Sequence, residues 1–155
     1  MKTQLMKMNE EEFDQYMEYF IPDYAKDLSD NFMIPVEKAL EESKNVMETL
    51  FPDKQDSVDQ HICNIYSLAD EKNIGVIWYN IQTESNKAYI YHILIHEAFR
   101  KRGFASLVLK ELEETVKTAG VTSMGLNVFG NNPGAQRVYE KLGYQPSSIA
   151  MGKRI

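Results

Sequence analysis

The chain has a single cysteine, Cys63, a single tryptophan, Trp78, and three histidines among 155 residues. A lone thiol excludes an internal disulfide framework and a cysteine-rich metal centre, and it points to the reducing cytoplasm. No apolar run approaches the roughly 20 residues a membrane span needs, and the start, MKTQLMKMNEEEF, lacks the apolar centre of a secretory leader. The two familiar glycine-rich nucleotide patterns, Gly-x-x-x-x-Gly-Lys-Ser/Thr and Gly-x-Gly-x-x-Gly, are also missing. Positive charge is scarce: 17 Lys and Arg face 23 Asp and Glu, for a net charge of −6. The overall field therefore repels nucleic acid. What is present, 43% hydrophobic and 11% aromatic residues, suffices for one packed core, so a single domain over residues 1–155 is expected.

Periodicity sets the order of elements. Residues 3–8 (TQLMKM) alternate as a first strand. Asn9 and the acidic residues after it open a helix carrying Phe13, Tyr16, Met17, Phe20 and Tyr24 at helical spacing. Pro22 removes a backbone donor, which predicts a bend or interruption before Tyr24. A second helix starts at Pro35, turns Val36, Ala39, Leu40, Ser43, Met47 and Leu50 to one side, and stops at Phe51. After a polar loop over residues 52–59, three extended runs (HICNIYSLA, NIGVIWYNIQ and KAYIYHILI) separated by DEKN and TESN predict an antiparallel meander. A helix through Phe104, Val108, Leu109, Leu112 and Val116 ends at Gly120, a strand follows in TSMGLNVF, and Asn132-Pro133 opens a helix to Leu142. Residues 144–155 are expected to give one or two closing strands.

The third run of the meander leads directly into the basic turn Arg100, Lys101, Arg102, Gly103, Phe104, Ala105, and a helix follows at once. Helix-start N–H groups beside clustered cations suit an anion such as a phosphate. The string alone reads more readily as a solvated helix start, and the preceding strand tips the balance to the anion site. Strand parity places Ile90, His92 and Leu94 on one face of the sheet.

Two motifs then coincide. Arg100, Gly103 and Ala105 match Gln/Arg-x-x-Gly-x-Gly/Ala, and Asn132, Ala135, Tyr139, Leu142, Gly143 and Tyr144 match Asn-x-x-Ala-x-x-x-Tyr-x-x-Leu-Gly-Tyr/Phe. In this order, and over residues 89–144, the chain resembles the GNAT family of N-acetyltransferases, bacterial type. The resemblance implies an α/β fold with a mixed, mostly antiparallel sheet of about seven strands, about four helices, and central strands 4 and 5 splayed apart to form a cofactor cleft.

It also implies the chemistry: transfer of acetyl from acetyl-coenzyme A to a primary amine of a small molecule or peptide. On the resemblance, Arg100, Lys101, Arg102, Gly103, Phe104 and Ala105 hold the pyrophosphate. Leu94 and Ile95 meet the pantetheine and thioester through a strand bulge, Asn132 and Ala135 complete the coenzyme site, and Tyr139 protonates the departing thiolate. His92 is the candidate base, with an imidazole expected to titrate in the useful range. The other reading of His92 is a half-buried histidine bonded to a carbonyl. Tyr16, Tyr19, Tyr24, Trp78 and Tyr79, with Glu18 or Asp23, are candidates for an acceptor pocket, although aromatics at such spacing are usually core. With Cys63 lacking an activating partner in sequence, direct attack in a ternary complex is expected rather than an acyl-cysteine. A non-catalytic acyl-coenzyme-binding module stays open as the alternative, as does a homodimer. No metal, nucleic acid or membrane partner is expected.

Overall fold

In the computed structural model, which describes all of Met1–Ile155, the meander forms as read. β1 (Thr3–Lys7), β2 (Gln60–Ser67), β3 (Lys72–Gln82), β4 (Lys87–Ile95) and β5 (Ser123–Leu126) make one sheet in chain order. The first three junctions are antiparallel and β4–β5 is parallel. The helices are α1 (Glu10–Phe32), α2 (Val36–Leu50), α3 (Phe104–Thr118) and α4 (Pro133–Lys141). None is long and apolar enough to cross a membrane. The chain divides into two compact units: Met1–Asn9 with Gln55–Asn127, and Glu10–Lys54 with Val128–Ile155.

The first unit holds the sheet and α3. Its core is β-branched on the sheet side, with Ile62, Ile65, Ile74 and Ile77 at most 1% exposed, and Phe104, Val108, Leu109, Leu112 and Val116 from α3 close it. These side chains suit a pleated surface and a helical stripe respectively. Thr3 Oγ1 donates to Glu111 Oε1 at 2.6 Å, which fixes α3 to the sheet face that carries Thr3.

Two features of this sheet position the site. β5 pairs with β4 only from Lys87 to Ile90, so β4 runs on through residues 91–95 with β3 alone as its neighbour. At the same point the β3–β4 register slips: Trp78 faces His92 while Tyr79 faces Ile90, leaving Tyr91 as an extra residue. A one-residue bulge of this kind resets the alternation of faces. His92 and Leu94 therefore share the face of Trp78 and Val76, and Ile90 lies on the opposite one with Tyr79. This corrects the parity reading, which placed Ile90 with His92 and Leu94; simple alternation has no means of registering an inserted residue.

The second unit is helical. α1 carries Phe13, Tyr16, Phe20 and Ala25 buried, and α2 adds Ala39, Ser43 and Met47. Phe13 meets Phe51 edge-on at 5.1 Å, and Tyr24 and Phe32 both approach Phe129, at 6.0 and 6.3 Å. Pro22 does not interrupt α1, which continues for 23 residues across it. The proline ring costs one backbone bond, but the stacking of Phe20 on Tyr24, 5.4 Å apart at 16°, carries the apolar stripe past that point. The expected closing strands are absent: residues 144–155 join no ladder, and the sheet has five strands rather than about seven. Pro146 and Gly152 weaken a strand there, and Ile149 and Met151 stay 77% and 92% exposed, so no burial drives pairing.

Gly75 stands opposite Ile95, and a β-carbon there would collide with the Leu94 carbonyl oxygen. Replacement by Ala forces β3 and β4 apart beside the unpaired stretch. Gly75→Ala should lower stability by about 1–3 kcal/mol, read as a fall in the urea midpoint with an unchanged slope.

Candidate active site

The site is built from the backbone of β4 and the turn after it. The His96 N–H donates to the Ile74 carbonyl at 2.8 Å, and alternate residues of an antiparallel strand bond to the same side. Leu94 and His92 thus direct their main-chain groups to β3, and Ile93 and Ile95 direct theirs to the side where β5 has stopped. Arg100 Nε donates to the Ile95 carbonyl at 2.7 Å, tying the turn back to the strand end.

The turn itself has two left-handed residues, Lys101 at φ 61° and Gly103 at φ 81°. Gly103 precedes α3 and supplies no side-chain cap. The first helical bond runs from the Leu107 N–H to the Gly103 carbonyl, 3.1 Å, so the N–H groups of Phe104, Ala105 and Ser106 have no helical acceptor. A β-carbon at Gly103 would meet nothing within 4 Å. Uncapped donors, a helix dipole and open space above a glycine together fit a phosphate group. Ser106, at the third helical position, brings a hydroxyl to the same place; its serine gave no signal in the motif.

The three cations of the turn are not equivalent. Arg102 makes a two-pronged contact with Asp70, at 3.1 and 3.2 Å, and its guanidinium lies 4.8 Å from the Phe104 ring centre. Asp70 is braced by the Ser67 hydroxyl at 2.7 Å, and the Arg102 guanidinium, then Ser67, hold its carboxyl below the usual carboxylate range. Arg102 is thereby a strut between the β2–β3 turn and the anion turn. Arg100 and Lys101 remain as exposed cations.

Around the bulge, Tyr91 stacks on Trp78 at 4.4 Å and 13°, and Tyr89 meets Tyr91 edge-on at 4.8 Å. Trp78 Nε1 donates to Gln60 Oε1 at 2.8 Å. Of the aromatics expected at an acceptor pocket, only Trp78 belongs to this group. Tyr79 is on the opposite face, stacked on His61 at 4.7 Å; Tyr16 and Tyr24 lie in the α1 row and Tyr19 is 46% exposed. Tyr89 and Tyr91 escaped the sequence reading because plain alternation sets them opposite His92, and only the bulge brings His92 onto the face they share with Trp78.

Burial sets the protonation of three groups. It pushes the His92 imidazole down to about 4, in place of the ordinary value expected from sequence, and pushes the Cys63 thiol up to about 11. It also raises the Tyr139 hydroxyl. Each shift follows from the cost of a charge in a low-dielectric setting. In the second unit, Asn132 caps α4 by accepting from the Ala135 N–H at 3.3 Å, and Tyr139 packs edge-on to Tyr144 at 6.0 Å.

The model of the acetyltransferase (GNAT) family matches residues 10–144. The chain belongs to that family. As a GNAT protein it is an N-acyltransferase, and the α/β fold expected from the motifs is the one observed. It is 30% identical over 153 residues to the uncharacterized N-acetyltransferase YdgE of Bacillus subtilis, covering 97% of each chain. It is 28% identical over its full length to YycN of the same organism. The crystal structure of YycN superposes with a TM-score of 0.91 over 99% of both chains at 27% identity. A PaiA N-acetyltransferase from Thermoplasma acidophilum, solved with coenzyme A, shares the fold at a TM-score of 0.66 and 19% identity, over 97% of this chain and 94% of that one.

The His92 shift has a stability consequence with a definite sign. Above pH 6.5 the imidazole is neutral folded or unfolded and contributes nothing. Between pH 6.5 and 4 the unfolded chain takes up a proton that the folded one refuses, so stability falls by up to about 1.4 kcal/mol per pH unit, about 3 kcal/mol in all. His92→Asn should flatten that slope in urea titrations at pH 7, 5.5 and 4.5.

Proposed function

We propose that this GNAT protein transfers the acetyl group of acetyl-coenzyme A to a primary amine of a small molecule or peptide, by direct attack in a ternary complex. One observation carries the reading. The open edge of β4 beyond Ile90 leads, through residues 96–99, into an uncapped, left-handed turn with two exposed cations. A long ligand with amides along its arm and a pyrophosphate at its end matches that sequence of groups.

Acetyl-coenzyme A supplies the activated thioester. The chain's own residues do the rest. Arg100 and Lys101, with the N–H groups of Phe104, Ala105 and Ser106, bind the pyrophosphate, and Arg102 keeps the turn in shape. The outward groups of Ile93 and the Ile95 N–H, beside Leu94, orient the pantetheine arm and offer an N–H to the carbonyl oxygen as charge develops there. Asn132 and Ala135 complete the coenzyme site from the start of α4. Tyr139, held protonated by burial, donates to the departing thiolate.

The covalent route is unfavourable, because a thiol that ionises only near pH 11 leaves almost no thiolate at neutral pH. His92 stays neutral through the physiological range. It serves as a hydrogen-bond acceptor for the amine, and the proton itself passes to water.

Two substitutions test this reading. Gly103→Glu, with its carboxylate in the open space over the turn, should raise the Kd for acetyl-coenzyme A at least about a hundredfold in calorimetry, through lost phosphate bonds and repulsion. Unchanged affinity would mean that the pyrophosphate binds elsewhere. Tyr139→Phe should cut kcat by about 10²–10⁴ in a free-thiol release assay with little change in acetyl-coenzyme A affinity. An unaltered kcat removes Tyr139 as the acid.

A further inference from the structure

The turn between β2 and β3 sets a carboxylate against the anion turn. Ser67 is 1% exposed, and its hydroxyl donates to Asp70 Oδ2 at 2.7 Å while accepting from the Asp70 N–H at 3.2 Å. The Glu71 N–H closes the same turn on the Ser67 carbonyl at 2.9 Å. Bonds within its own turn thus fix Asp70, and both of its oxygens then accept from the Arg102 guanidinium.

Across this contact the backbone is held against its preference. Lys101 is left-handed without being glycine, and such a residue persists only where its surroundings hold it. Arg100 pins the chain before Lys101 through the Ile95 carbonyl, and Arg102 pins it after through Asp70. Gly103, next in line, sets the direction of the uncapped N–H groups of Phe104, Ala105 and Ser106. A lysine in place of Arg102 would keep the charge, but it has no fork to lie along the carboxylate and no plane to lie over the Phe104 ring. By charge alone Asp70 is an adverse neighbour for an anion, because it repels one and neutralises Arg102. Charge and geometry therefore give opposite signs for the effect of removing it.

We propose that Asp70 is a positioning residue for the coenzyme: acting through Arg102, it holds the backbone from Lys101 to Gly103 in the shape in which the helix-start N–H groups meet the pyrophosphate, so that removing this negative charge weakens the binding of an anion. This rests on the acetyl-transfer reading above. Ser67 orients the carboxylate, Arg102 carries its hold to the turn, and Asp70 acts without touching the coenzyme.

The experiment titrates coenzyme A into the full chain by calorimetry, for the wild type, Asp70→Asn, Arg102→Lys and the double variant, with Gly103→Glu alongside. Asp70→Asn keeps the shape of the side chain and should raise Kd about three- to tenfold, where charge alone requires a fall. Arg102→Lys, which keeps the charge of the turn, should do the same and carries the test if Asp70→Asn folds poorly. The double variant should bind no worse than the weaker single one, because the two residues act as a unit. In amide NMR spectra of the free protein, the peaks of Gly103, Phe104, Ala105 and Ser106 should move in Asp70→Asn, whereas a role confined to the turn between β2 and β3 moves only residues 67–72. Unchanged or tighter binding by Asp70→Asn and Arg102→Lys, in a protein whose Gly103→Glu variant has lost the coenzyme, overturns the inference alone, as do unmoved peaks over residues 103–106. Unchanged affinity in Gly103→Glu overturns the placement of the pyrophosphate and this inference with it.

Discussion

The structure of this site depends on one extra residue. Tyr91 has no counterpart on β3, and a sheet cannot absorb an unpaired residue without turning the chain after it. Because β5 ends opposite Ile90, the strand is also released on its other side at that point. The bulge and the lost neighbour work together: one rotates His92 and Leu94 to the Trp78 face, and the other leaves the main-chain groups of Ile93 and Ile95 without a ladder. Had β5 run four residues further, those groups would be bonded within the sheet and the edge would be closed.

One cause, withdrawal from water, acts on three side chains with different consequences. For Tyr139 it favours the form that can donate a proton; for Cys63 it favours the inert thiol; for His92 it removes the charge altogether. The protonation of each group is thus set by placement rather than by a special partner. The price is borne by His92, whose neutrality becomes a liability for the fold in mild acid.

Much of this was legible in the sequence. The meander, α3 and the glycine turn before it follow from alternation, helical stripes and the placing of Gly103, because those signals are local. Pro22 misled because its penalty is local as well, while the stacked rings that outweigh it come from the whole face of α1. The closing strands failed for the opposite reason: residues 144–155 alternate well enough, but nothing buries them. The face of His92 and the aromatic group at Tyr91 depend on the bulge, which leaves no mark in composition or spacing. Asp70 was read only as part of a turn, since its bond to Arg102 joins positions 32 residues apart.

That last bond has a consequence for how the turn presents itself to solution. With Arg102 neutralised internally by Asp70, a polyanion approaching the turn displaces counterions from two positions, Arg100 and Lys101, and not from three. On the proposed reading, the sensitivity of coenzyme capture to ionic strength follows a valence of two, while the third charge acts inward as mechanical bracing of the turn.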